Sequence, residues 1–313
     1  MKKDERLLAL LGGLLSEGLY DSRNERFWEI IQSTRGMATP NKLALLNGAA
    51  RTLESGEAFV EVGTYKGTSI LGASSGIAES PFYTIDNFSL FAGPREECLQ
   101  NLKEYAGPNV HLIDGDAWEV LASPSWHEPV GVYFYDAGHE FRDQWNAFAG
   151  IERLLADDAL IIIDDTRFFQ ARAANRAYTL GRREFRRLRS FRSGYEGEPI
   201  WWNGVEVYHF VRRNPRDRSI KYDAHRTRRR WLFLLLQFAF GRPFEIAISM
   251  AARLYRIAGI SSVRKGWYPD HTDPNLRRYW DGRALTLTER WDGSQWKTVD
   301  GVDPDTPELP DRQ

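Results

Sequence analysis

Two short acidic phrases carry the most chemistry in this chain. Tyr135-Asp136-Ala-Gly-His139 closes one apolar run, and Ile161-Ile-Ile-Asp164-Asp165-Thr166 closes another. If the two runs are adjacent parallel strands, Asp136, Asp164 and Asp165 meet at one edge. Three carboxylates that close repel one another unless one is protonated or a cation lies between them. A hard divalent ion such as Mg2+, with oxygen ligands and retained waters, meets that need, so these three are the candidate metal ligands. His139 lies three residues beyond Asp136, and a neutral imidazole takes a hydroxyl proton near pH 7. Asp136 and His139 are therefore the candidate catalytic pair. The plainer reading makes all three acids helix caps and salt-bridge partners.

A second phrase, Glu61-Val-Gly63-Thr-Tyr65-Lys-Gly67-Thr68-Ser69, follows an apolar run and opens a helical pattern. Gly63 lets the chain turn tightly, and Gly67 lets a ligand approach the backbone beside the helix start. The dinucleotide fingerprint G-x-G-x-x-G is absent, because the second glycine comes four residues after the first. Downstream, Asp86 ends the next apolar run, and Asp114-Gly-Asp116-Ala117 follows the one after that. Each has a structural alternative: turn glycines at 63 and 67, and helix caps at Asp86 and Asp116.

These phrases need elements to hold them. Residues 58–63, 82–86, 110–113, 130–135 and 159–163 are short apolar runs, with helix-length stretches between them. Uniformly apolar strands suit a parallel sheet covered on both faces, and the alternation predicts a doubly wound, Rossmann-like α/β fold. Pro199–Trp202 and Val205–Val211, joined by Asn203-Gly204, predict an antiparallel hairpin at the end of the sheet.

In this order, the E-x-G-x-x-x-G phrase, Asp86 and Asp114-Gly-Asp116 resemble the motifs of class I S-adenosylmethionine-dependent methyltransferases, over roughly Gly36 to Val211. The terminal hairpin fits the same family. The resemblance implies that Glu61, Gly63, Tyr65, Gly67, Thr68, Ser69, Asp86 and Asp116 bind S-adenosyl-L-methionine, Asp86 at the ribose and Asp116 at the adenine. The acidic phrases resemble those of catechol-type and bacterial sugar O-methyltransferases, where a divalent metal orients a hydroxyl for attack on the methyl group. The resemblance implies that Asp136, Asp164 and Asp165 are the metal ligands, and His139 falls where those enzymes keep their catalytic residue. The catechol-type enzymes carry Asn where this chain has Asp165, and Lys where it has His139. Gly36-Met37-Ala-Thr39-Pro40 resembles a stretch that covers the cofactor, which implies a lid role for Met37 and Thr39.

The rest of the chain bounds the reading. It has 313 residues, 42% hydrophobic and 27% charged, a net charge of −1 and one cysteine. Wholesale disorder, a disulfide framework and dedicated nucleic-acid binding are excluded, and a reducing, cytosolic setting is expected. Residues 181–230 hold 15 Lys plus Arg against 6 Asp plus Glu. The arginines at 182, 183, 186, 187, 189 and 192 are read as partly a helical stripe, serving as a solvated face or meeting an anionic surface or substrate. Residues 226–260 pair a basic cluster with an apolar stretch. They read either as a peripheral membrane contact or as a helical hairpin packed on the core or on a second subunit. Trp267, Trp280, Trp291 and Trp296 punctuate a module whose Gly266-Trp-Tyr-Pro-Asp270 and Arg278-Tyr-Trp-Asp-Gly282 resemble a tryptophan-rich module of unknown function from actinobacterial proteins. Its partner is unknown. The expected boundaries are a helical cap at 1–56, the cofactor-binding core at 57–211, a basic linker and apolar helical segment at 212–263, the tryptophan-rich β module at 264–298 and a disordered tail at 299–313. The leading function is an O-methyltransferase acting on a hydroxyl of a small molecule, sugar or lipid-linked glycan. The alternatives are a metal-dependent hydroxylase on the same fold and a non-catalytic scaffold.

Overall fold

The computed structural model describes residues 2–11, 25–90, 93–123, 126–193, 200–213, 266–269, 276–280, 285–291 and 295–299. Three helices come first: α1 (Lys3–Leu11), α2 (Glu25–Thr34) and α3 (Pro40–Ala50). Strands and helices then alternate as β1 (Ala58–Val62), α4 (Thr68–Ser74), β2 (Phe82–Asp86), α5 (Arg95–Tyr105), β3 (Val110–Asp114), α6 (Ala117–Ala122), β4 (Val130–Tyr135), α7 (Phe141–Ile151), β5 (Leu155–Ile163) and α8 (Phe169–Thr179). Strands β6 (Phe185–Phe191) and β7 (Val205–Val211) complete a seven-stranded sheet of order β3-β2-β1-β4-β5-β7-β6. The first five strands are parallel, and β7 runs antiparallel to both β5 and β6.

Both faces of the sheet are apolar, which is why the strands read as unbroken apolar runs. Val60, Val62, Tyr133, Tyr135, Ile161, Ile163, Tyr208 and Phe210 face one side with α7. Phe59, Val132, Phe134, Leu160, Ile162, Val205 and Val207 face the other, under α1 to α4. Helix α7 buries Phe141, Gln144, Trp145, Phe148 and Ile151, the spacing of a single helical face. Helix α3 starts with Thr39 as N-cap accepting from Lys42 N–H and Pro40 at the first position.

The terminal hairpin differs from the expectation in its first strand. Val205–Val211 pairs with Phe185–Phe191, and residues 200–203 instead form a turn closed by Gly204 N–H to Trp201 O (2.9 Å). Trp201 packs on Phe191, ring to ring at 3.9 Å. Arg186, Arg187 and Arg189 thus lie on a strand, and the helical stripe is a misreading. A bulge between Arg187 and Arg189 shifts the phase, so Phe185 packs on one side of the sheet and Leu188 and Phe191 on the other, and no two-residue alternation runs through the strand. Charged side chains on this outermost strand also discourage edge-to-edge pairing.

The tryptophan-rich region forms a separate antiparallel sheet, β11-β10-β9-β8, from β8 (Gly266–Pro269), β9 (Leu276–Trp280), β10 (Leu285–Trp291) and β11 (Trp296–Thr298). The Trp-Asp-Gly phrase recurs in register: Trp280 pairs with Leu285, and Trp291 with Trp296. Arg277 bridges Glu289 and lies 4.4 Å over the Trp296 ring. The segment 226–260 and the tail after Val299 lie outside the described residues. Among the described residues, no helix is long and apolar enough to cross a membrane.

Candidate active site

Strand register assembles the site. Val62 pairs with Tyr135 and Tyr135 with Ile163, so Gly63, Asp136 and Asp164 leave the sheet side by side. The ladder continues one step further, with Asp136 N–H donating to Val62 O (2.8 Å) and Asp164 N–H to Tyr135 O (2.9 Å). The strand order reverses between β1 and β4, the place where open α/β sheets bind ligands.

On the β1 side, Gly63 has φ +98°, and a Cβ there would stand 2.0 Å from the Asp136 carbonyl oxygen. No side chain fits, so the glycine loop wraps directly against the end of β4. Asp86 shapes that loop. Its Oδ2 accepts the N–H groups of Thr64 (2.8 Å) and Tyr65 (2.9 Å), and its Oδ1 accepts Phe88 N–H (2.7 Å). Gly67, at φ +85°, caps α4; Thr68 Oγ1 lies 2.6 Å from Thr34 Oγ1, tying α4 to the end of α2.

Glu61 is fully buried behind the loop, accepting from the hydroxyls of Ser69 and Thr84. Burial pushes its carboxyl up to about 8, although both hydroxyls pull the other way. A carboxyl with a raised folded pKa holds its proton more tightly in the native state. Its stabilising contribution is complete below its ordinary value and lost as the pH climbs toward 8. Glu61→Gln should therefore remove part of the stability loss between pH 5 and pH 8, on the order of a few kcal/mol. Urea titrations at both pH values check this, and equal pH slopes in the two proteins would refute it.

Asp116 is exposed and is the N-cap of α6, its Oδ1 accepting from Trp118 and Glu119 N–H. Both readings of that residue thus remain compatible, since Oδ2 is not engaged in the cap. Thr39 is buried and donates to Ile200 O (2.9 Å), whereas Met37 is exposed.

The acidic cluster is as the sequence predicts, with carboxylate oxygens of Asp136, Asp164 and Asp165 all within 4.8 Å of one another. Its counter-ion is one that the sequence did not announce. Lys42, reaching up from α3 and 1% exposed, forms an ion pair with the fully buried Asp164. Loss of hydration and the like charge of Asp164 push Asp136 well above the usual carboxylate range. Asp165, held at φ +56°, accepts from Asn203 Nδ2 (2.8 Å) and lies 3.5 Å from His139 Nδ1. Burial pulls Asp165 upward, yet His139, Lys42 and Asn203 together hold it below its ordinary value. The same contact with Asp165 raises His139. The imidazole stacks on Phe168 (4.3 Å between centroids) and remains half-exposed, open to a substrate.

Residues 60–166 match a family model described as a methyltransferase domain. The chain carries a methyltransferase domain. Its seven-stranded sheet with an antiparallel β7 agrees with the class I, S-adenosylmethionine-dependent fold that the sequence motifs resemble. Among solved structures, the chain is similar to the O-methyltransferase of tomaymycin synthesis from Streptomyces achromogenes, in complex with S-adenosylmethionine. The two are 19% identical, with a TM-score of 0.46, over 68% of this chain and 100% of that one. A methyltransferase from Geobacter sulfurreducens is 21% identical, with a TM-score of 0.45, over 68% and 98%. An O-methyltransferase from Bacillus cereus, in complex with SAH, is 13% identical, with a TM-score of 0.42, over 67% and 90%. No curated protein matches the chain.

The acidic cluster can be tested for a metal by its charge and donors. Three carboxylates and one lysine sum to −2 with His139 neutral, which one dication would balance. The donors are all hard oxygens, the set that Mg2+ and similar ions take. The residues fit such an ion.

Proposed function

We propose that the chain is an O-methyltransferase that moves the methyl group of S-adenosylmethionine onto a hydroxyl of a small molecule or glycan, with a divalent cation at the acidic cluster. One observation carries this reading: Gly63, at the head of the glycine loop, wraps the carbonyl of Asp136, which clusters with Asp165, the acid that meets His139. Cofactor loop, acids and base share one edge of the sheet.

In this reading the glycine loop and Asp86 seat the cofactor, with Tyr65 and Asp116 flanking it. Asp136, Asp164 and Asp165 would hold the cation, which when bound would position the acceptor oxygen and lower its pKa. His139 Nε2 takes the hydroxyl proton, and the acceptor oxygen attacks the methyl group in line with the departing sulfur. Asp165 orients the ring through Nδ1 and stabilises the imidazolium that results. Phe168 holds the ring plane.

The test is release of S-adenosylhomocysteine over a panel of catechols, sugars and polyketide alcohols, with Mg2+ and with chelator. His139→Ala should lower kcat by about 10²–10⁴ with S-adenosylmethionine affinity unchanged. Because Asp165 raises His139, the rate should climb with pH along a limb centred above the ordinary histidine value of 6.5. Full turnover in chelator would remove the cation from the reading, and full turnover in His139→Ala would remove the base.

A further inference from the structure

Beside the acidic cluster lies a group of arginines that the chemistry above does not use. Arg167 follows Asp165 by two residues, and its N–H donates to Asn203 O (2.7 Å); Asn203 in turn holds Asp165 (2.8 Å). Thr166 N–H donates to Gly204 O (3.1 Å). Gly204 is crowded by Phe191 O, Ser193 N and Thr166 Oγ1, all within 3.3 Å of where its Cβ would stand. Arg192, between Phe191 and Ser193, therefore comes down on the same turn as Arg167. Arg172, one turn into α8, reaches back with Nη1 to the carbonyls of Thr166 and Arg167.

Among the described residues, no acid pairs with Arg167 or Arg192, and neither forms a hydrogen bond through its side chain. Glu206, the acid acting on Arg172, is buried and already accepts from Arg187, Asn175 and Tyr208. Asp165 is held by His139 and Asn203. Burial and then repulsion from Arg192, Arg176 and Arg167 lower Arg172. Like charges on neighbouring loops repel, and a bound anion offsets that repulsion.

We propose that Arg167 and Arg192, on the loop that Arg172 braces, bind a phosphate group of the methyl acceptor. Guanidinium forks match phosphate oxygens in pairs, which a lone lysine does not do. The proposal deepens the methyltransferase reading by naming the acceptor's class, a phosphorylated alcohol whose free hydroxyl reaches His139 while its phosphate rests on Arg167 and Arg192.

The test is calorimetric titration of inorganic pyrophosphate into the full chain without S-adenosylmethionine, so that its outcome stands apart from cofactor binding. The expected result is saturable binding, weakened at least tenfold in Arg167→Gln/Arg192→Gln. The exposed pair Arg183→Gln/Arg189→Gln, equal in charge change, should bind as the wild type does. Unchanged S-adenosylmethionine affinity and melting temperature certify the fold of the first variant. A second arm uses vesicles of phosphatidylglycerol and phosphatidylcholine. Sedimentation that depends on Arg167 and Arg192 assigns a lipid-linked phosphate; sedimentation indifferent to them, with pyrophosphate binding intact, assigns a soluble one. No saturable pyrophosphate binding, or equal loss in both double variants, overturns the proposal.

Discussion

Replacing Lys42 with methionine should destabilise the protein by about 3–5 kcal/mol, the cost of leaving a buried charge without its partner. Asp164 is fully buried, and its Oδ1 accepts Asp165 N–H (2.8 Å), so without Lys42 the cluster has lost its buried cation. The variant also raises the unbalanced charge from −2 to −3. Added Mg2+ should therefore recover more stability in Lys42→Met than in the wild type, since only the variant lacks a built-in cation. Urea denaturation near pH 7.5, with and without Mg2+, measures both effects. A loss below about 1 kcal/mol would mean that the pair carries no buried charge.

The second large effect is expected at Gly63. Alanine there meets the Asp136 carbonyl at 2.0 Å, with its carbon at 2.5 Å, while φ stays at +98°. Both obstacles are backbone, so either the glycine loop or the end of β4 has to move. Because one of these carries the cofactor loop and the other Asp136, S-adenosylmethionine affinity should fall about tenfold to a hundredfold, or about 1–3 kcal/mol. Gly181→Ala is the control. It shares a positive φ of +70° but has nothing within 4 Å of its Cβ, so it should bind the cofactor normally. Wild-type affinity in Gly63→Ala would show that the loop does not need to press on β4.

Much of this arrangement was legible in the residues, for a physical reason. Strands buried on both faces must be apolar throughout, so their polar ends stand out: Gly63, Asp86, Asp136 and Asp164 each mark where a strand leaves the sheet. Parallel pairing then places those ends at one edge. Two features escaped. Strand β6 was hidden because a single bulge at Arg187–Arg189 breaks its two-residue period, setting Phe185 on one face of the sheet and Leu188 and Phe191 on the other. Lys42 was hidden because its partner lies 122 residues away, and nothing local distinguishes a buried lysine from one on a solvated helix. The signal was faint but present. Thr39-Pro40 fixes the start of α3, and α3 buries every residue from Asn41 to Ala50, so a lysine within it had to find an acid.

Asp86 and Glu61 show a further limit of reading residue types alone. Both are acids beside the glycine loop, and both were read as cofactor contacts. Asp86 accepts three backbone N–H groups and sets the loop's shape, while Glu61 reaches no surface and accepts from the hydroxyls of Ser69 and Thr84. Burial separates their roles, and burial is a property of the fold.

The central claim is that this edge of the sheet seats S-adenosylmethionine. Calorimetric titration of the cofactor into the full chain, in the presence of chelator, tests it most directly. The account predicts saturable one-to-one binding, competed by S-adenosylhomocysteine and weakened in Gly63→Ala. Absence of binding by a folded protein, or affinity unmoved by that substitution, would contradict it.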